Sequence, residues 1–193
     1  MEPEDFGAVE CLHWRSADEV RAYIEEQGIA SMLAFDGERC VGQLYLKAYE
    51  PGFREPGGWA GNRPWSDFTL AEPLPVSGRH LTLGCYHVGR LADGSHDPSR
   101  WGRGIAGTLL ETTIEWQRRQ QEVDGLLAWG LVPGSRALLE WGGQLPYTRY
   151  LESGFQEIAK VRDPRLEPFL EGVDTAGARE DPLLLRVMRL ETA

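Results

Sequence analysis

The chain has 193 residues, 41% hydrophobic and 26% charged, which is material for one sizeable core and a single domain over 1–193. Its 23 glycines and 12 prolines follow no period and its seven tryptophans oppose disorder, so collagen-like, low-complexity and unfolded classes are excluded. With 20 Lys+Arg against 30 Asp+Glu the formal charge is -10, a poor match to a polyanion, and nucleic acid is not expected as the main partner.

Lys47 and Lys160 are the only lysines, and the remaining cations are arginines, suited to bidentate phosphate contacts. Cys11, Cys40 and Cys85 are odd in number and far apart, which argues against a disulfide framework. No CxxC or Cys/His cluster offers a metal site, and no metal is expected. The opening MEPEDFGAVE has neither a basic region nor an apolar run. No stretch approaches the roughly 18 apolar residues of a membrane span. A cytoplasmic protein without a membrane partner is the expectation.

Residues 9–15 (VECLHWR) suit a short strand. Ser16 then precedes ADEVRAYIEEQG with Glu19 three positions on, the spacing of a capping box, and Gly28 closes the helix. Asp36-Gly37 is a hairpin signal between strands near 30–35 and 39–49. Residues 50–78 are rich in Pro and Gly and hold Trp59 and Trp65; they read as a long ordered loop or insertion, either a substrate wall or a surface flap packed by its own aromatics. RHLTLGCYHVG, 79–89, is the best strand. Alternation places Leu81, Leu83, Cys85 and His87 on one face and Thr82, Gly84, Tyr86 and Val88 on the other. Both faces carry apolar groups, so the strand is expected to be central.

After a polar loop at 91–99, a helix of about four turns is predicted from Gly104, burying Ile105, Leu109, Thr112 and Trp116 with Leu110 and Ile114. Arg118 and Arg119 suit its carboxyl end. LLAWGLV, 126–132, is a second buried strand. SRALLEW (135–141) and YTRYLES (147–153) are short helices, the second stopped by Gly154. QEIAKVR, an irregular stretch at 163–181 and LLLRVMRL (183–190) complete a mixed α/β or α+β sheet with helical cover.

The strongest chemical signal is a strand, a loop and then WGRGIAG at a helix start. Gly102, Gly104, Ala106 and Gly107 leave that first turn open, and its unpaired amides suit an anion, with Arg100 and Arg103 adding charge. The alternative is that small residues only permit tight packing. The segment has neither the GK[ST] ending of a phosphate loop nor a G-x-G-x-x-G fingerprint. A second signal is Tyr150-Leu151-Glu152-Ser153-Gly154-Phe155, a phenol before a helix-ending glycine, placed to donate a proton or simply to pack.

Together these motifs resemble the GCN5-related N-acetyltransferase (GNAT) superfamily. Its coenzyme-loop pattern, Gln/Arg-x-x-Gly-x-Gly/Ala, falls on Trp101-Gly102-Arg103-Gly104-Ile105-Ala106, followed by Gly107-Thr108. Its later tyrosine with Gly-Phe four residues on falls on Tyr150 and Gly154-Phe155. The order of elements agrees over about 9–190. Two departures stand out: Trp101 replaces Gln or Arg, and the loop at 89–99 is longer.

The resemblance implies a single-domain, mostly antiparallel mixed sheet with splayed central strands. It implies transfer of an acetyl group from acetyl-CoA (coenzyme A as cosubstrate) to a primary amine of a small molecule or peptide, by direct attack. Residues Trp101–Thr108 would form the coenzyme loop, with amides around Arg103–Gly107 on the diphosphate. The backbone of Tyr86–Val88 would pair with the pantetheine, and the Val88 amide would polarise the thioester carbonyl. Tyr150 would protonate the departing thiolate.

For the base, His87 has a suitable ordinary pKa, though a satisfied core histidine is the alternative; Glu50, Asp67, Glu72 or water are others. Cys85 has no visible partner for nucleophilic work, and His96 and Asp97 lack co-ligands for a metal. A homodimer is compatible with a small enzyme of this kind. Two other classes compete: a fold that binds coenzyme A without turnover, and a structural protein with neither property.

Overall fold

The computed structural model describes residue 5 and residues 16–51, 73–91, 95–133, 143–162, 167–170 and 180–191. The expected strand at 9–15, helix at 135–141 and most of the 50–78 stretch, with Trp59, Trp65, Asp67 and Glu72, lie outside these residues.

Six strands form one mixed sheet: β1 (Ser31–Asp36), β2 (Arg39–Ala48), β3 (His80–Val88), β4 (Gly125–Gly130), β5 (Gln156–Arg162) and β6 (Leu184–Glu191), in the order β1-β2-β3-β4-β6-β5. Only β3 and β4 run parallel. The β1–β2 turn centres on Gly37-Glu38, one residue later than the sequence signal, with Asp36 facing Arg39.

Helix α1 (Ala17–Gln27) starts as the capping spacing predicts, the Glu19 amide donating to Ser16 Oγ at 3.2 Å, and it ends at Gly28. Helix α2 (Ile105–Gln117) lies across one face of the sheet. Its Leu109, Leu110 and Ile114 pack on Leu44, Leu46, Leu81, Leu83, Leu126 and Met188. Thr112 is exposed and Thr113 takes the predicted inward place, because the buried stripe centres on Leu109, Leu110, Thr113 and Gln117 and an α-helix turns about 100° per residue. The Thr113 hydroxyl donates to the Leu109 carbonyl at 2.7 Å, so burying it leaves no orphan group. Close approach of α2 depends on Gly42 of β2, where a Cβ would fall 2.5 Å from Ile105 Cγ2.

Helix α3 (Tyr147–Glu152) joins the α2 side, adding Tyr150 and the following Phe155 to the same core. A second core, with Tyr49, Leu74, Leu127, Trp129 and Val187, contains the alternate residues of β4 and β6 and so belongs to the opposite face.

Strand β3 departs from the simple alternation read in the sequence. Leu46 faces Leu83 and Leu44 faces Tyr86, so Gly84 and Cys85 together oppose Tyr45. This is a β-bulge, and the extra residue reverses the facing of everything after it. Tyr86 therefore joins Leu81 and Leu83 in the core beneath α2, while His87 turns to the opposite face, away from Leu83. Gly84 permits the bulge, because a Cβ there would lie 2.5 Å from Tyr45 Cδ1.

Candidate functional site

Strands β3 and β4 pair only over His80–Leu83 and Gly125–Ala128. Beyond them β3 runs on through the bulge to Val88 without a β4 partner, so the two central strands part as expected. His87 faces Gln43 of β2 in the antiparallel register and Gly89 donates its amide to Val41, so residues 87 and 89 turn their backbone toward β2. By the two-residue period, the amides of Tyr86 and Val88 point the other way, into the parting.

A short segment crosses that space. The Tyr86 amide donates to the Gly143 carbonyl at 2.5 Å, and Gln144 Nε2 donates to the Gly84 carbonyl at 2.9 Å. On the β4 side, the Leu131 amide donates to the Leu145 carbonyl at 3.1 Å, and Tyr147 donates to the Leu131 carbonyl at 2.9 Å. The amide of Tyr86 assigned to pantetheine is thus engaged within the chain. The sequence reading missed this segment, since no periodicity marks Gly143-Gln144 as a partner of a strand some sixty residues earlier.

Past β3 the chain makes a 3-10 turn at Pro98–Arg100 and reaches α2 through Trp101–Gly104. Gly102 and Gly104 hold φ of 70° and 79°, a left-handed conformation costly for other residues, and a Cβ on either would meet nothing within 4 Å. Gly104 is the N-cap of α2 and offers no side chain to the first-turn amides. Trp101, Ile105, Ala106 and Gly107 are half-buried, while Gly102, Arg103, Gly104 and Thr108 are exposed. The result is an open helix start with its positive dipole end facing solvent.

Arg100 does not add its charge to this start. It pairs with Asp36 at 2.5 Å and with Asp97 at 3.6 Å, and its guanidinium holds the Asp36 carboxyl below the ordinary range. Asp97 also accepts from the Ser99 amide at 3.0 Å and caps the 3-10 turn, a structural task, while His96 lies with its ring 6.3 Å from that of Trp101. Arg149, which sequence reasoning passed over, takes the place next to the helix start. Its Nη2 would be 3.2 Å from a Cβ on Gly107, and it pairs with Glu152 at 2.6 Å. Only the docking of α3 brings it there. A part-buried cluster centred on the buried Arg186 of β6 anchors that helix: the Tyr147 hydroxyl donates to Glu180 at 3.0 Å, and Arg186 lies 4.7 Å from the Tyr147 ring while pairing with Glu157 and Glu180.

Tyr150 is fully buried and edge-on to Phe155, with ring centroids 5.3 Å apart. Its phenol neighbours that of Tyr86, and burial pushes both well above the ordinary tyrosine range, so both remain protonated. The two hydroxyls are within reach of each other, and that of Tyr150 is within reach of the Leu145 backbone, though short of full hydrogen-bond geometry. His87 is half-buried, its Nδ1 3.5 Å from Arg90 Nη1, on the face of the sheet away from Tyr150. Glu50 is exposed just beyond β2, and Cys85 sits half-buried in the bulge. Among the described residues no group of three or more His, Cys, Asp or Glu side chains could hold a metal ion. Among them, no helix is long and apolar enough to cross a membrane.

No family model matches the chain, and no curated protein sequence does. Solved structures do match its fold over nearly all of its length. They include the GphF GNAT-like decarboxylase in complex with isobutyryl-CoA, with a TM-score of 0.53, 15% identity and coverage of 99% of this chain and 96% of that one. Arabidopsis thaliana NAA60 in complex with acetyl-CoA matches with a TM-score of 0.52 and 12% identity over 99% and 96% of the two chains. The chain has the GNAT fold. The loading GNATL domain of CurA from Lyngbya majuscula shares it, with a TM-score of 0.51 and 15% identity over 99% and 94%. At these identities the GNAT likeness is one of architecture, and the reaction rests on the residues of this chain.

Proposed function

We propose that this protein transfers an acyl group, acetyl in the first instance, from a coenzyme A thioester to a primary amine of a small molecule or peptide. The observation that carries the reading is the parting of β3 and β4 beside an uncapped helix start, with buried phenols at its apex. The residues present fit the coenzyme: glycines at 102 and 104 leave no side chain in front of the first-turn amides, and Arg149 stands beside them. Trp101 in place of Gln or Arg removes one polar contact, which Arg149 would supply by turning from its exposed pairs with Glu152 and Glu111.

Bound coenzyme supplies an activated acyl group. The amides of Arg103–Gly107 would hold its diphosphate through the helix dipole. Of the amides that face the parting, that of Val88, or that of Tyr86 once free of Gly143, would stabilise charge as it develops on the acyl oxygen. Tyr150 would give a proton to the departing thiolate; its buried phenol is protonated for that step, and the same burial makes it a weaker acid than a free tyrosine until the coenzyme's charge develops beside it. His87 would take the proton of the entering ammonium. The bulge places these two on opposite faces of the sheet, so the amine would approach from the His87 side while the thiolate leaves on the Tyr150 side. Glu50 is the other described candidate for the base.

A second reading, a fold that holds coenzyme A without turnover, is favoured by the engagement of the Tyr86 amide with Gly143. Calorimetric titration with acetyl-CoA, followed by thiol release with a panel of amines, separates the readings. Binding with turnover supports transfer, binding without turnover for any amine supports the carrier, and no binding leaves a structural protein. Compartment and oligomeric state, cytoplasmic and homodimeric on the sequence expectation, are open to fractionation and light scattering.

A further inference from the structure

We propose that Gly143 and Gln144 act as an internal strap that competes with the acyl thioester for the edge of β3, so that coenzyme binding and strap release are one event. This rests on the acyl-CoA reading above and adds to it the residues that set apparent affinity.

A backbone amide has one hydrogen. That of Tyr86 is given to the Gly143 carbonyl, so it cannot at the same time meet a ligand carbonyl. A ligand whose diphosphate sits at the start of α2 enters the parting from the Val88 end. It meets the Tyr86 level about 7 Å further in, at two residues of strand rise. Pairing with β4 closes the space just beyond, at Leu83. The Gly143 carbonyl therefore occupies the inner end of the path, where the reacting end of such a ligand arrives.

The strap is shaped for that position. Gly143 has φ of 57°, which strains other L residues, and a Cβ there would come within 3.3 Å of both Cys85 Cβ and the Tyr86 carbonyl oxygen, so a larger residue would press the strap away from β3. Gln144 is 3% exposed, with its Nε2 on the Gly84 carbonyl and its Oε1 unsatisfied. A half-satisfied buried amide is a weak anchor. The other end is tied to Leu131 by the Leu145 carbonyl and the Tyr147 amide, so release at Gly143-Gln144 leaves the segment attached on the β4 side. With the strap seated in most free molecules, apparent affinity is reduced by the fraction that is open.

The test weakens the strap without touching the helix start. Gln144→Leu keeps the volume and removes the bond to Gly84; a net hydrogen bond corresponds to a factor of about five, so acetyl-CoA should bind about fivefold tighter in calorimetry. In the free protein, with Cys11 and Cys40 replaced by serine, Cys85 beneath the strap should be alkylated faster in this variant than in the parent. Gly143→Ala should act in the same direction, and if its thermal melt shows misfolding, Gln144→Leu decides. A Gln144→Leu affinity equal to or below that of the parent overturns the proposal while leaving the acyl-CoA reading intact, whatever Cys85 does. Absence of acetyl-CoA binding in parent and variants alike overturns both.

Discussion

Substitution at Gly104 separates the anion site from the fold that carries it. Its φ of 79° charges any L residue about 1–2 kcal/mol of backbone strain, and open space beyond 4 Å means no clash is added. Gly104→Ala, Gly104→Gln and Gly104→Glu should therefore lose similar amounts of stability, on the order of 1–2 kcal/mol. Their coenzyme affinities should not be similar. A carboxylate about 4 Å from a phosphate charge costs about 1 kcal/mol in water and about 4 at an effective dielectric near 20. This exposed turn lies toward the water end. About 1–3 kcal/mol, or roughly 5- to 150-fold, is expected between Glu and the isosteric Gln, shrinking as salt shortens the screening length. Calorimetric titration of coenzyme A at low and high salt, with thermal melts of each variant, reads both quantities. Equal affinity of the Glu and Gln variants at low salt would refute the placement of a diphosphate at this turn.

Tyr150→Phe should shift the melt only modestly and leave the coenzyme dissociation constant within about twofold, because the phenol's contacts with Tyr86 and the Leu145 backbone fall short of full hydrogen-bond geometry, yet lower kcat about 100-fold if it is the acid. Unchanged turnover would reduce Tyr150 to packing. Gly42→Ala should cost about 1–3 kcal/mol by forcing Ile105 and Leu109 outward, and it should weaken coenzyme binding because Ile105 opens α2. A stability loss with unaltered affinity would show that the first turn does not depend on this seat. His80 is buried, and burial lowers its pKa below the ordinary 6.5, outweighing a backbone contact at Gly78 that raises it. Below that pH the unfolded chain takes up a proton that the folded one refuses, so stability should fall on acidification from pH 7 to 5. His80→Leu should flatten this part of the melting profile, and an unchanged slope would contradict the assignment.

Much of the site could be read in the sequence because its signals are local. The run of small residues at Gly102, Gly104, Ala106 and Gly107 states an open helix start, and Tyr150 with Gly154-Phe155 states a short helix followed by a strand. Capping by Ser16 and the hairpin near Gly37 need only neighbouring residues, and both formed where expected or one residue away. Thr112 was misplaced because Ile105, its seventh neighbour back, lies at the margin of the buried stripe and so gives the wrong phase.

What the amino-acid order determined by itself is whatever depends on short-range periodicity and backbone conformation: the six described strands, the helices at 17–27, 105–117 and 147–152, and the glycines that leave the start of α2 without a side chain in front of it. What tertiary structure alone decided is whatever depends on pairing across distance. The bulge opposite Tyr45 exchanged the faces of Tyr86 and His87, bringing Tyr86 into the core beneath α2 and turning His87 away from it. The commitment of Arg100 to Asp36 and the arrival of Arg149 beside Gly107 redrew the charge at the helix start. The seating of Gly143 on Tyr86 filled the inner end of the parting. Each is a contact between segments tens of residues apart, whose register is set by how whole elements pack and leaves no mark in either segment alone.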